Sequence, residues 1–132
     1  MPISRRKVVK SSGALATVAM FPGCAIFKGT TTMYGLISKM RTVPGHREAF
    51  ISILLDGVSG MPGCLSYVVA RDSVDSNAIW VTEIWESCES HQTSLTLPSV
   101  QEAIAQGRPL IAGFGERFET VPVGGYGLSS PS

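Results

Sequence analysis

The chain has 132 residues, which is the size of one domain, and its 11 Lys and Arg residues nearly balance its 10 Asp and Glu residues. A formal net charge of +1 gives no electrostatic reason to expect a nucleic-acid partner. Apolar residues make up 44% of the chain and charged residues 16%, so we expect an apolar surface that an oligomer covers.

Residues 1–29 have the composition of an export signal rather than of a folded domain. A basic segment with adjacent arginines, Ser4–Lys10, is followed by a mild apolar run, Ala14–Phe21. The pattern resembles a twin-arginine export signal and predicts a periplasmic protein; the alternative is a disordered basic N-terminus. No apolar run reaches the length of about 18 residues that a membrane-spanning helix needs.

The end of this segment resembles a lipobox, the motif at which bacterial lipoproteins are acylated. Gly23 and Cys24 fit that motif, whereas Phe21 and Pro22 depart from it. Two outcomes remain open, namely lipidation of Cys24 and ordinary cleavage nearby. An acylated Cys24 would tether the domain to a membrane surface.

Hydrophobic periodicity over residues 30–123 predicts one α+β domain, and the Gly/Ser/Pro-rich residues 124–132 predict a flexible tail. We interpret Leu110–Gly115 as an apolar connection. The order of elements is β-α-β-β-α-β, which is the ferredoxin-like pattern. Strands are predicted at Met33–Thr42, Cys64–Ala70, Ala78–Trp85 and Glu116–Val123, and helical segments at His46–Ser59, Ser87–Leu95 and Pro98–Gln106.

A ferredoxin-like sheet has helices on one face only. The other face here would be apolar and bare in a monomer, so we predict a homodimer in which two sheets pack face to face.

The strand that ends at Trp85 has a carboxylate on an otherwise apolar face. Ile79, Val81, Glu83 and Trp85 share that face at a period of two residues. Ser87 can cap the next helix, which brings His91 back beside the strand end. The segment therefore predicts a carboxylate, an indole and an imidazole in one place.

Three segments together resemble the antibiotic biosynthesis monooxygenase domain, a family of small dimeric α+β barrels that includes quinol monooxygenases. They are Pro44–Phe50, Met61–Cys64, and Glu83–Glu86 followed by His91, and the resemblance covers Thr32–Val123. It implies a mostly apolar pocket between sheet and helices. It also implies oxidation of electron-rich phenols by O2 without metal or flavin, although other members are isomerases or degrade haem.

Such chemistry needs a base, because the anion of the substrate is what donates electrons to O2. His91 is the candidate base, and Glu83 either orients it or takes the proton itself. Ser38 lies near the position where haem-degrading members carry an Asn. The candidates for substrate binding are Trp85, Tyr67, Tyr34 and Ser38.

Neither a metal nor an organic cofactor is predicted. His46 and His91 are the only histidines, no zinc or iron spacing is present, and phosphate-cradling Gly-rich loops are missing. The predicted partners are a small aromatic substrate and O2.

Structural explanations compete with each of these roles. His91 could bond a backbone carbonyl, Trp85 could be an ordinary core residue, and Glu83 could pair with Arg41 or Lys39. Tyr34 and Tyr67 could be ordinary sheet residues. At the level of function, the alternatives to a monooxygenase are a non-catalytic module that binds a hydrophobic small molecule and an isomerase of the same fold.

Two cysteines leave a further choice open. If the hairpin turns near Val74–Asp75, Cys64 pairs with Trp85, and Cys88 comes within reach of a disulfide with Cys64. The alternative is two reduced, buried thiols.

Overall fold

The computed structural model describes residues 32–129, so the predicted export signal, Cys24 and the last three residues of the tail lie outside the described part. None of the helices in residues 32–129 is long and apolar enough to cross a membrane. The strands are β1 (Tyr34–Thr42), β2 (Cys64–Arg71), β3 (Ala78–Trp85) and β4 (Ile111–Thr120), and the helices are α1 (Arg47–Gly57), α2 (Cys88–Ser94) and α3 (Pro98–Gly107).

The four strands form one antiparallel sheet in the order β2-β3-β1-β4. The predicted ferredoxin-like α+β fold is confirmed, with the second helical position occupied by α2 and α3 in succession. A 3-10 turn, Arg108–Leu110, joins α3 to β4. Strand β3 carries Glu83 and Trp85, and its neighbour β2 carries Tyr67.

The last strand was predicted too short at one end and too long at the other. Leu110–Gly115 is not a connection, because β4 already begins at Ile111 and pairs with the end of β1. Two glycines and two register shifts in this pairing remove the alternation that marks a strand in sequence. At its other end β4 stops at Thr120, short of the predicted Val123, since Pro122 has no N–H to donate to a ladder.

The core lies between the sheet and the helices. Phe50 of α1 is 2% exposed and packs with Ile79 and Val81 of β3, which are also buried. Helix α1 approaches α3 closely at Gly57, where an added Cβ would lie 2.6 Å from the Cβ of Ala103. Replacing Phe50 with Ala should cost about 3–5 kcal/mol of stability, because the cavity that it leaves would sit under both helices.

The opposite face of the sheet is covered by no helix of residues 32–129. One row across it runs through Val68, Thr82, Ile37 and Phe118, which are cross-strand neighbours in that order. Val68 and Phe118 are 53% and 52% exposed, which is high for residues on a sheet face. A largely apolar row with exposed side chains at both ends is characteristic of an interaction surface.

Candidate active site

One row across the helix-covered face of the sheet contains two polar side chains of the site, those of Tyr67 and Glu83. Tyr67 of β2 lies opposite Glu83 of β3, Glu83 opposite Leu36 of β1, and Leu36 opposite Glu119 of β4. Directly paired residues on one face have Cβ atoms about 5 Å apart, so Tyr67 and Glu83 are close neighbours.

A cavity of about 590 Å³ lies between this face and the helices. That volume suits a small aromatic molecule. Its side chains with polar groups are those of Tyr67, Glu83, Trp85, His91, Ser94 and Arg108. Its apolar lining includes Met40, Phe50, Leu54, Met61, Val100 and Ile111.

Among the residues that the structure describes, one hydrogen bond holds Glu83 at the wall of this cavity. The indole Nε1–H of Trp85 donates to Oε1 of Glu83 at 2.9 Å, and the Glu83 side chain is 12% exposed. Burial raises the pKa of the Glu83 carboxyl, while the bond from Trp85 and the positive charge of Arg117 act against that rise. The carboxyl thus favours its protonated form more than an exposed glutamate does.

His91 reaches the same place from α2. Ser87 caps this helix by accepting a hydrogen bond from the backbone N–H of Ser90, as its sequence predicts. The Nε2 of His91 lies 3.9 Å from Oε1 of Glu83, which is too far for a direct hydrogen bond. One ligand oxygen could contact both groups across that gap.

Two aromatic rings fix the orientation of the imidazole. The ring centroids of Tyr34 and Trp85 are each 5.4 Å from that of His91. Burial lowers the pKa of His91, the charge of Arg117 lowers it further, and the charge of Glu119 opposes this. The pKa values of Glu83 and His91 therefore shift toward each other, as is common for groups that exchange a proton.

The sequence-predicted residues do not all line the cavity. Glu83, His91, Trp85 and Tyr67 line it, whereas Tyr34 and Ser38 do not. The hydroxyl of Tyr34 donates to Oε2 of Glu119 at 2.6 Å, and burial together with Glu119 raises the pKa of Tyr34 to about 12. Tyr34 thus contacts His91 through its ring.

Two structural alternatives can be set aside within the described residues. Lys39 forms an ion pair with Asp72 at 3.5 Å rather than with Glu83. The imidazole of His91 makes no hydrogen bond to a backbone carbonyl in residues 32–129. Trp85, by contrast, is 1% exposed and also lines the cavity. It is therefore both a core residue and a wall of the candidate site.

The proposed bridge between Cys64 and Cys88 is wrong. Cys64 lies opposite Trp85, as predicted, but it is a free thiol, and its Sγ donates to the carbonyl of Ser66 at 3.6 Å. The alternative of two reduced thiols is also wrong, since Cys88 is disulfide-bonded.

The sequence interpretation missed several lining residues. Ile111 and Phe114 belong to the part of β4 that was predicted as a connection. Arg108 and Ser94 also line the cavity and were not among the predicted site residues. The apolar residues in the run Leu110–Phe114 were the one signal that could have revealed a cavity wall.

No group of three or more His, Cys, Asp or Glu side chains in residues 32–129 is arranged to hold a metal ion. The side chains with polar groups in the cavity, a carboxyl, an imidazole, a phenol, an indole, a hydroxyl and a guanidinium, suit the binding and deprotonation of a small organic molecule.

The fold and the site together define a ferredoxin-like α+β domain with an apolar cavity and a carboxyl–imidazole pair in its wall. The profile of the antibiotic biosynthesis monooxygenase family matches residues 33–106, and the chain belongs to that family. No curated protein matches the chain.

Solved structures support this assignment. A protein of Chloroflexus aurantiacus J-10-fl, named for the antibiotic biosynthesis monooxygenases, is 65% identical; the match covers 74% of this chain and all of that one, with a TM-score of 0.73. A protein of Caulobacter crescentus CB15 with the same family name is 21% identical, covering 70% of this chain and 89% of that one, with a TM-score of 0.60. A Bacteroides thetaiotaomicron protein of unknown function is 15% identical, covering 70% of this chain and 99% of that one, with a TM-score of 0.62. The last two likenesses concern the fold alone.

Proposed function

We propose that the protein is a cofactor-independent monooxygenase that oxidises small aromatic, quinol-type molecules with O2. The observation that carries the proposal is the pairing of a buried carboxyl with an imidazole 3.9 Å away in the wall of an apolar cavity. A flat ring would lie against Trp85 in a cavity that holds little water, where its hydroxyl could lose a proton.

In this reaction the Glu83–His91 pair takes the proton of the substrate hydroxyl. The resulting anion reduces O2, one oxygen atom enters the ring, and the other leaves as water with the two hydrogens that the ring and its hydroxyls lose. A hydroquinone plus O2 thus gives a hydroxyquinone plus water. The protein supplies the base, the orientation and the exclusion of solvent.

Two copies of the chain would complete the molecule as a homodimer. The row through Val68, Thr82, Ile37 and Phe118 supports this part of the proposal, because it leaves apolar side chains about half exposed on an otherwise flat sheet. Sheet-on-sheet packing would cover it. Sedimentation of the mature domain should give the mass of a dimer, and a monomer at micromolar concentration would contradict this.

The proposal also places the mature domain in the periplasm, exported through its twin-arginine segment. Cys24 is then lipidated, which would tether the domain to a membrane surface, or removed with the signal, or retained with a thiol that can take part in a disulfide, as Cys88 does. Mass spectrometry of the N-terminal peptide from periplasmic and membrane fractions would separate these outcomes, and an intact Met1 in the cytoplasm would contradict export.

The direct test of the activity is O2 uptake with a panel of hydroquinones, comparing the wild-type protein with His91→Ala. Labelled ¹⁸O2 distinguishes a monooxygenase, which transfers one label to the product, from an oxidase, which releases peroxide. We expect label in the quinone and a large loss of rate in the variant. Uptake no faster than in buffer, combined with tight binding of the ring, would instead indicate a non-catalytic binding module, and turnover without O2 would indicate an isomerase.

A further inference from the structure

The cavity lining contains one hydroxyl, on a partly buried residue, that neither the core nor the carboxyl–imidazole pair uses. Among the side-chain donors that line the cavity, Trp85 donates to Glu83, and Ser94 donates to the backbone carbonyl of His91. The hydroxyl of Tyr67 makes no hydrogen bond within residues 32–129. It is the one neutral hydroxyl of the lining that has no acceptor in the described part of the protein.

This hydroxyl opens to the cavity rather than being sealed in the core. The ring of Tyr67 packs against the cluster of Phe50, Ile79 and Val81. Among the described residues, the one fully buried side-chain nitrogen or oxygen atom without a hydrogen bond is Nε of Arg47. The hydroxyl oxygen of Tyr67 also lacks a hydrogen bond, so it is not fully buried and retains accessible surface. Since Tyr67 is a cavity-lining residue, we infer that this surface faces the cavity.

The position of Tyr67 in the sheet fixes what it faces. Tyr67 and Glu83 are directly paired on adjacent strands and on the same face. Burial, and after it the charge of Glu83, raises the pKa of Tyr67. The phenol therefore stays protonated at neutral pH and can donate a hydrogen bond. The hydrogen-bond donor Tyr67 and the carboxyl of Glu83 are therefore neighbours in one wall of the cavity.

We propose that Tyr67 is a further catalytic residue, whose hydroxyl donates a hydrogen bond to the substrate oxygen that Glu83 and His91 deprotonate. This inference rests on the proposed function and adds a hydrogen-bond donor to its deprotonation step. The oxygen accepts from Tyr67, and its own proton passes to the Glu83–His91 pair. No bond of the ring changes in this step, and the negative charge left on the oxygen is stabilised by the donor.

The step can be observed without turnover by titrating 4-nitrophenol, because its phenolate absorbs at a longer wavelength than the neutral phenol. Replacing Tyr67 with Phe keeps the ring and removes only the donor. The pKa of bound 4-nitrophenol should then be higher in Tyr67→Phe than in the wild-type protein, by about one unit or more. Tyr126→Phe is the matched control, since Tyr126 is fully exposed and should leave the titration unchanged.

A second arm uses turnover. With a hydroquinone that the wild-type protein oxidises, Tyr67→Phe should lower kcat by about 10²–10³-fold and change KM little, as expected for a donor that acts mainly in the transition state. Thermal unfolding should show that Tyr67→Phe is as stable as the wild type, because the lost hydroxyl had no protein partner among the described residues.

The outcomes separate this inference from the proposed function. An unchanged bound pKa in a folded Tyr67→Phe would overturn the role of Tyr67 even if O2 uptake is present. A raised bound pKa with no O2 uptake would support the hydrogen bond and count against the oxygenase. If Tyr67→Phe fails to fold, the wild-type protein still provides a test: 4-nitrophenol should bind at least about tenfold more tightly than 4-nitrotoluene, and equal affinities would overturn the inference.

Discussion

Strand β3 carries two tryptophans, and each donates its indole N–H to a carboxylate, but the two pairs behave in opposite ways. Trp80 donates to Oδ2 of Asp72 at 2.8 Å, and Trp85 donates to Oε1 of Glu83 at 2.9 Å. The pKa of Asp72 is lowered, whereas the pKa of Glu83 is raised. The indole bond is common to both, so it does not decide the outcome.

The difference lies in the other partners of each carboxylate. Oδ1 of Asp72 accepts backbone N–H bonds from Val74 at 2.9 Å and from Asp75 at 2.8 Å, and Lys39 lies 3.5 Å from Oδ2. Those two backbone bonds are the main reason that its pKa is low, with the bond from Trp80 next and the charge of Lys39 a minor contribution. Asp72 therefore stays ionised and holds the β2–β3 hairpin together.

Glu83 has none of this support. Its partners among the described residues are the indole of Trp85 and, at 3.9 Å, the imidazole of His91. Asp72, which stabilises the fold, has its hydrogen-bond acceptors occupied, whereas Glu83 in the cavity can still accept further hydrogen bonds. An incompletely satisfied buried carboxyl costs stability, and such costs concentrate where a ligand will complete the bonds.

The largest effect should come from Glu83→Gln. Glutamine keeps an acceptor for Trp85 but cannot take a proton, so kcat/KM should fall by about 10²–10⁴-fold in the O2-uptake assay. At neutral pH, by contrast, the variant should be at least as stable as the wild-type protein. The raised pKa of Glu83 in the folded state contributes stability at low pH, and this contribution is lost as the pH rises through that pKa. Glutamine does not ionise and so avoids the loss.

Thermal unfolding at pH 7 provides the control for this variant. Glu83→Gln should unfold at the same temperature as the wild type or higher. A clear decrease would mean that Glu83 serves the fold as Asp72 does, and the contrast between the two carboxylates would fail.

The next effect concerns the pH dependence of the proposed activity in the wild-type protein. The pKa of Glu83 lies above its usual 4.5, and that of His91 lies below its usual 6.5. Because both groups must be deprotonated to act as bases, kcat/KM should rise with pH along a limb in which Glu83 titrates above 4.5 and His91 titrates below 6.5. In His91→Ala any residual activity should keep a limb above 4.5 that belongs to Glu83. A limb above 6.5 that is present in the wild-type protein and lost in His91→Ala would contradict the lowered pKa of His91.

Asp72→Asn tests the structural half of the comparison. A lowered folded-state pKa contributes stability that is present above the unfolded value of 3.8 and is lost as the pH falls below it. The variant should therefore unfold at a lower temperature than the wild type at pH 7, and the gap should narrow as the pH is brought below about 3.8. Its kcat/KM should be unchanged, because Asp72 does not line the cavity. A gap that stays constant with pH would remove the electrostatic explanation.

The fold was predictable because strong local signals agreed with the global pattern. The period of two along Ile79, Val81 and Trp85, and the cap at Ser87, both hold in the structure. The start of β4 was not predictable, since its pairing with β1 depends on a register shift that has no signature in either strand alone.

The site was predictable only in part, for a related reason. Glu83 stood out as a carboxylate on an apolar strand face, and its neighbours Trp85 and His91 are close in the chain. The free hydroxyl of Tyr67 depends on what surrounds it in three dimensions. The same holds for Tyr34, whose hydroxyl is taken by Glu119, a residue 85 positions away.

The smallest effect should come from exchanging each indole for a phenyl ring. Trp85→Phe removes the bond that holds the pKa of Glu83 down, so the acid limb of kcat/KM should move upward, by less than about one unit. Trp80→Phe is the matched control: it removes the bond to Asp72 outside the cavity and should leave the limb in place. Because Trp85 is 1% exposed, its variant will also lose stability, so both profiles are to be measured well below the unfolding temperature. Equal shifts in the two variants would mean that the indole bonds act on the fold as a whole, and the specific link between Trp85 and the carboxyl in the cavity would be lost.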